Sequence, residues 1–155
     1  MIRFEKATQK DAKALTRVSR STFEHDVNYG APDRGGPPGY DSEAWQRRMM
    51  RRGNYFKILA ADEIIGGMIV FSAGGGHYEL GRIFIHPDRQ NQGIGVQALA
   101  FIEHAFLDAK RWTLNTPSWA ERNHHFYEKL GYVKSGEHEP LETPFLLFSY
   151  EKTIS

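Results

Sequence analysis

The sequence predicts an α/β (α+β) fold: a mixed, largely antiparallel sheet of about seven strands with helices on both faces. Three observations carry that expectation. Segments of strand and helix periodicity follow one another as β-α-α-β-β-β-α-β-α-β-β, in which consecutive strands make antiparallel neighbours and a strand-helix-strand step makes a parallel crossover. That step falls on Tyr78 to Val96, YELGRIFIHPDRQNQGIGV, a strand, a polar connection and a glycine-rich turn that opens a helix. The length of 155 residues, with 40% hydrophobic and 25% charged, suits one domain with a real core and is short for two, so residues 1–155 are expected to form a single domain.

The elements follow in order. Ile2 to Ala7 alternates apolar and charged residues and reads as a half-buried strand. Thr8 and Asp11 have capping-box spacing before a helix that turns Ala12, Leu15, Val18 and Phe23 inward. Residues 28–41, NYGAPDRGGPPGYD, are too rich in Gly and Pro for a regular element and form a long loop. Ser42 caps a second helix running to about Arg52, and Gly53-Asn54 ends it. Residues 55–61 and 64–71 are two strands joined by a short hairpin at Asp62-Glu63. The next strand, 79–86, carries Leu80, Ile83, Phe84 and Ile85 and stops at Pro87, which has no amide for a ladder. Ile94, Ala98, Ile102, Ala105 and Phe106 have helical spacing, and Trp112 to Asn115 is a strand. Ser118 and Glu121 place a capping box before a helix from about Trp119 to Leu130, with Gly131 as its C′ residue. Residues 132–137 and 145–152 close the sheet.

Composition excludes several function classes. A net charge of +1 argues against a protein built to grip a nucleic-acid backbone. There is no cysteine, hence no disulfide, thiolate metal site or cysteine nucleophile. The seven histidines show no metal-ligand spacing, so no metal is expected. No apolar run reaches the ~18 residues of a membrane span and the N-terminus lacks a signal-peptide core, so a cytoplasmic protein without a membrane partner is expected.

The glycine turn carries the chemistry. A helix start offers unpaired N–H groups and partial positive charge, and glycines let a phosphate approach the backbone. A P-loop is excluded because no Gly-Lys-Ser or Gly-Lys-Thr occurs. A dinucleotide turn fits the letters from Gly93 to Ala98, but a polar connection separates strand from glycine, and Asn115 stands where an acid would bind the ribose. The third form is [QR]-x-x-G-x-G/A, present as Gln90-Asn91-Gln92-Gly93-Ile94-Gly95. Together with the Glu79 strand, its His86-Pro87 exit and Phe126-Tyr127-Glu128-Lys129-Leu130-Gly131-Tyr132, it resembles the GNAT N-acetyltransferase family. The resemblance is specific over Tyr78 to Val96, fair over Trp112 to Val133 and weak before residue 54.

That resemblance implies acetyl-CoA as cosubstrate and an acetyl transfer to a primary amine by direct attack. It implies Glu79 as general base and Tyr127 as the proton donor to the departing thiolate. The main chain of Ile83, Phe84 and Ile85 would pair with the pantetheine arm, the Ile83 amide facing the oxyanion, with Gly81 helping the strand bend. Gln90, Asn91, Gln92, Gly93, Ile94, Gly95 and Val96 would cradle the pyrophosphate. The family's usual Asn seven residues before the Tyr is Ala120 in this chain, and Asn123 is the candidate substitute.

For the acceptor, the resemblance points to the first two helices, their connection and the loop between the last strands. Glu24, Asp26, Asp33, Asp41, Glu43, Glu137, Glu139 and Glu142 make these segments acidic, which favours a small cationic molecule or a basic peptide. Tyr29 and Tyr40 are candidate aromatic walls. A homodimer through the last strands is open on this reading. The competing classes are a non-catalytic acyl-CoA-binding or regulatory module, which the loss of Asn at Ala120 would permit, and a nucleotide-binding protein using the glycine turn.

Overall fold

The computed structural model describes residues 1–140 and 143–154. Its strands are β1 (Ile2–Lys6), β2 (Asn54–Ala60), β3 (Glu63–Gly74), β4 (His77–Ile85), β5 (Arg111–Pro117), β6 (Val133–His138) and β7 (Leu147–Thr153). Its α-helices are α1 (Ala12–Glu24), α2 (Glu43–Arg52), α3 (Ile94–Ala105) and α4 (Glu121–Lys129). The seven strands form one sheet in the order β1-β2-β3-β4-β5-β7-β6, antiparallel except where β4 meets β5. The mixed, mostly antiparallel architecture read from the sequence is the one observed.

The helices divide between the two faces according to their apolar stripes. Leu15 and Val18 of α1 and Met49 of α2 pack on Tyr55, Ile69 and Phe84. On the other face, Ile94, Ala98 and Ile102 of α3 and Tyr127 of α4 pack on Ile58, Met68, Val70, Leu80 and Trp112. Each such aliphatic side chain contributes about 1.5–3 kcal/mol on burial, so the layers hold chiefly by these contacts.

Helix ends follow local chemistry, with two departures. Ser42 caps α2 as expected, its Oγ accepting from the Trp45 amide at 3.1 Å. The Asp11 carboxylate accepts from the Thr8 amide at 2.8 Å, but the turn it closes is 3₁₀ over Gln9–Asp11, and α1 starts at Ala12. Ser118 does not cap α4. Its amide donates to the Leu146 carbonyl at 2.8 Å, tying it to the strand side, and Ala120 becomes the N-cap. Gly131, at φ +95°, ends α4 in the left-handed conformation expected of a C′ glycine.

The feature that prepares a site is the behaviour of β4. Across from β3, Val70 pairs with Leu80 and Ile69 with Arg82, so Gly81 is an extra residue that bulges the strand. A Cβ on Gly81 would lie 2.4 Å from the Phe71 ring, so a side chain there would have to displace that ring. On the other side, β4 pairs with β5 only from His77 to Glu79. Beyond Glu79 the two strands part, while β5 continues alongside β7 to Pro117. The sheet therefore opens between β4 and β5, leaving one edge of Leu80–Ile85 without a strand partner.

Candidate active site

The opening is flanked by different chemistry on its two faces. Tyr78 and Leu80 point into the core beneath α3 and α4, so Glu79, between them, points to the α1 face. Glu79 is half-buried where the strands part, opposite Thr113 of β5 and Phe71 of β3, and no described residue pairs with its carboxylate. Its neighbour on that face, His77, is occupied: Arg111 lies 3.1 Å from its Nδ1, and its Nε2 lies 2.7 Å from Thr113 Oγ1. With the guanidinium as obligate donor to Nδ1, the His77 proton sits on Nε2 and donates to Thr113. Glu79 is thus the free carboxylate at the mouth of the opening.

Tyr127 lies on the α4 face, 6% exposed, against Phe126, Tyr132 and Tyr150. Burial pushes its phenol above the ordinary value, so it stays protonated. Among the described residues nothing hydrogen-bonds its hydroxyl, unlike Tyr55, which donates to Gln46, Tyr78, which donates to Asp108, and Tyr150, which donates to Glu128. A protonated phenol without a protein partner is a donor in reserve.

The 90–96 turn forms the third wall. Asn91 and Gly93 have φ of +62° and +78°, and Gly93 is the N-cap of α3 with no side chain capping it. The amides of Ile94, Gly95 and Val96 precede the first helical acceptor bond, which runs from Gln97 to Gly93 at 3.2 Å. A Cβ on Gly93 would meet nothing within 4 Å, so the turn is open at that residue. Gly95 has another reason to be glycine: a Cβ there would lie 2.9 Å from Phe126 Cζ, so its absence lets α4 approach α3. The Gln90 side chain is already committed, donating to the Ile85 carbonyl at 2.9 Å and accepting from Arg122 at 3.2 Å. It sets the turn against the end of β4 and leaves phosphate contact to the backbone. Asn91, Gln92 and Val96 are exposed around the turn. Asn123 is on the first turn of α4, its amide donating to Thr116 Oγ1 of β5 at 3.2 Å, which leaves its carbonyl oxygen free. Ala120 is buried at 5% exposure and has no polar group to offer there.

Two residues at the site, Arg122 and Arg82, escape the sequence reading. Arg122 joins Gln90 to Asp26 (3.7 Å) and stacks 3.4 Å from the centre of the Tyr29 ring, linking the segment after α1 to the phosphate turn. Burial lifts the Asp26 carboxyl to about 6 despite Arg122 and His25, which oppose it. Arg82 lies on the α1 face of β4, its Cζ 4.2 Å from the Trp45 ring. A charged residue inside an otherwise apolar strand run is the sequence signal for Arg82; nothing local marks Arg122, and Asp26, expected as part of the acidic field on the acceptor side, is instead tied to Arg122.

The acidic residues expected to face the acceptor are largely compensated. Glu24 accepts from Tyr40 at 3.0 Å and pairs with Arg34 and Arg20; the Tyr40 hydroxyl, then Arg34, hold it below the ordinary carboxylate value. Asp26 pairs with Arg122 and Glu43 with Arg47. Tyr40 is therefore a buttress of Glu24, and Tyr29 a platform for Arg122. Glu142 lies outside the described residues. Two open surface hollows border α1, one around Ser21, Glu24 and Arg34 and the other around Arg17, Asp41 and Glu43, and neither includes a residue of β4 or β5.

Comparison with known proteins places this geometry. The chain is 18% identical, with a TM-score of 0.81, to the structure of an acetyltransferase from Thermus thermophilus, covering 99% of this chain and 97% of that one. It has a TM-score of 0.79 at 18% identity to the PaiA N-acetyltransferase from Thermoplasma acidophilum in complex with coenzyme A, covering 99% of each. Against the ribosomal-protein-S18-alanine N-acetyltransferase from Escherichia coli the TM-score is 0.78 at 15% identity, over 100% of this chain and 95% of that one. In sequence, it is 32% identical over 73 residues to the uncharacterized protein YrkN of Bacillus subtilis (strain 168), a match spanning 46% of this chain and 40% of that protein. The family model for the acetyltransferase (GNAT) domain matches residues 51–134, more than half of the sequence and the part containing the strand opening, the glycine turn and α4. The chain belongs to the GNAT acetyltransferase family.

Proposed function

We propose that the protein is an acetyl-CoA-dependent N-acetyltransferase that moves the acetyl group to a primary amine of a small molecule or peptide by direct attack. The observation that carries this reading is the opening between β4 and β5, with the Glu79 carboxylate where the strands part and the bare amides of the 93–96 turn after β4; the unpartnered Tyr127 phenol on the α4 side is the donor we assign to it. The pyrophosphate rests on those amides, and the pantetheine arm lies in the opening, adding to the free edge of Leu80–Ile85 as a strand would. Glu79 takes a proton from the acceptor ammonium, either directly or through water. The amine nitrogen attacks the thioester carbon, the thioester C–S bond breaks as Tyr127 donates a proton to the sulfur, and the second proton that the nitrogen sheds on becoming an amide passes through water to restore the Tyr127 phenol. The Ile83 amide is the oxyanion donor in this reading, where one preorganised donor typically contributes about 10²–10³ in rate.

The acceptor presents its ammonium group from the α1 face. With Glu24, Asp26 and Glu43 paired to arginines and Glu137 to Lys134, the attraction rests on Glu79, Asp33, Asp41 and Glu139. Reversing the charge of Asp33, Asp41 and Glu139 should raise the acceptor KM, and an unchanged KM removes these three from the account. A second reading, a non-catalytic acyl-CoA-binding module, has one observation in its favour: the buried Ala120 offers no amide to pantetheine.

The test is a thermal-shift titration with acetyl-CoA, CoA and NAD, followed by thiol release with a panel of amines. A ligand bound only by the folded state adds about 2.7 kcal/mol at a hundred times its Kd. Acetyl-CoA should stabilise the wild type and leave Gly93→Glu unshifted, because that side chain enters the phosphate space. A shift without thiol release from any amine supports the binding module; no shift with either CoA compound defeats both readings.

A further inference from the structure

The least explained charged group at the site is Arg82. It lies on β4, three residues after Glu79 and on the same face, at a Cα separation of at most ~10 Å along the strand. Its guanidinium stands 4.2 Å from the Trp45 ring and 6.0 Å from the Phe23 ring, beneath the loop before α2. Gly39 presses that loop onto Trp45, since a Cβ there would lie 2.2 Å from the indole.

A cation in this position calls for an anion, and the chain does not supply one. One N–H donates to the Pro38 carbonyl at 3.0 Å, which uses one of the five donors of a guanidinium. Among the described residues no carboxylate lies within ion-pair distance, and none of its other nitrogens is sealed from solvent. Burial lowers its pKa to about 10, with only Tyr55 opposing. By contrast, Arg20, Arg34, Arg47 and Arg122 around the same cleft each hold an acid. The other arginines without one are exposed, as are Arg17, Arg48, Arg51 and Arg52, or border the phosphate turn, as does Arg89. Stacking on Trp45 offsets part of the desolvation but leaves the N–H groups other than the one on Pro38 unused.

We propose that Arg82 binds a carboxylate of the acceptor, so that the amine acetylated by this protein belongs to an amino-acid-like molecule. The inference rests on the N-acetyltransferase reading for the role of Glu79. A planar guanidinium with free adjacent donors matches a carboxylate in two parallel hydrogen bonds. A phosphate would want further cations, and β3, the rest of β4 and residues 36–45 contain no Lys or Arg. The ammonium meets Glu79 at the opening, the carboxylate meets Arg82, and Phe71 and Trp45 form the apolar floor and wall between them.

The experiment measures calorimetric binding to the CoA-loaded full chain for three matched pairs: phenylalanine and phenethylamine, leucine and isopentylamine, methionine and 3-(methylthio)propylamine. At least one acid should bind about tenfold or more tighter than its amine. Arg82→Gln should weaken the acid to the level of the amine and leave the amine unchanged, and Arg82→Lys should restore part of the preference. Equal binding within every pair, absence of binding, or a Gln variant that weakens acid and amine alike overturns the proposal; the last result assigns Arg82 to holding the 36–40 loop. Thiol release on the same pairs separates the two readings. Acid-selective binding without release defeats the transferase and keeps the anion site, whereas release from amines with no acid preference does the reverse.

Discussion

At the scale of the residue, the site consists of groups left without partners beside groups that are fully engaged. Glu79→Gln removes the free carboxylate at the opening and should lower kcat/KM by about 10²–10⁴ with acetyl-CoA affinity unchanged, read by steady-state kinetics and calorimetry. Tyr127 and Tyr150 make a matched control. Tyr127→Phe breaks no protein hydrogen bond, so stability should stay within about 0.5 kcal/mol while turnover falls about 10²-fold. Tyr150→Phe loses the bond to Glu128 and should cost about 1.5–3 kcal/mol in denaturant melts with little change in turnover. Asp26 gives a pH signature. Its folded carboxyl titrates near 6, above the ~3.9 of an unfolded aspartate, so the folded state holds the extra proton between these values. That stability is present in acid and is lost as pH rises to about 6. Melting temperatures of wild type and Asp26→Asn should therefore diverge from pH 4 to pH 6 in favour of the variant and run parallel above pH 7. Parallel curves throughout the range would show that Asp26 titrates normally.

At the scale of the element, two glycines two residues apart do different work, which substitution can separate. Gly93→Ala strains a left-handed backbone by about 1–2 kcal/mol but meets no atom. Gly95→Ala keeps helical backbone but presses on Phe126, an overpacking cost of about 1–3 kcal/mol. Phe126→Leu should rescue Gly95→Ala and not Gly93→Ala, a coupling that a double-mutant cycle in urea measures. The sequence reading assigned both glycines to phosphate approach, because letters at a helix start do not show which neighbouring helix leans on them. Element order, by contrast, was legible in every strand, since period-2 and period-3.6 patterns alternate cleanly from Ile2 to Thr153. Caps were less so: Ser42 and Gly131 act through their own local backbone, whereas Ser118 is held away from the capping position by a long-range bond from its amide to Leu146.

At the scale of the whole molecule, the sheet is two halves joined by a short seam. β1 to β4, with α1 and α2 against them, form one half, β5, β7 and β6 form the other, and the only strand pairing between the halves among the described residues is His77–Glu79 with Arg111–Thr113. The sequence made the bend legible through Gly81 but not the divergence, which depends on how far β5 follows β4, a long-range register with no local code. Nor did it show that Arg122 ties the α1 end to the phosphate turn, since Asp26 and Gln90 lie far apart in the chain. A ligand arm placed in the opening would act as the missing strand and couple the halves. Hydrogen exchange should therefore show, on adding acetyl-CoA, slower amides in three separated segments: Leu80–Ile85, the 93–96 turn and the β5 end from Leu114 to Thr116. A nucleotide held only by its phosphates would protect the turn alone. Protection confined to residues 93–96 would remove the pantetheine arm from the opening, and with it the alignment of thioester, Glu79 and Tyr127 on which the proposed chemistry depends.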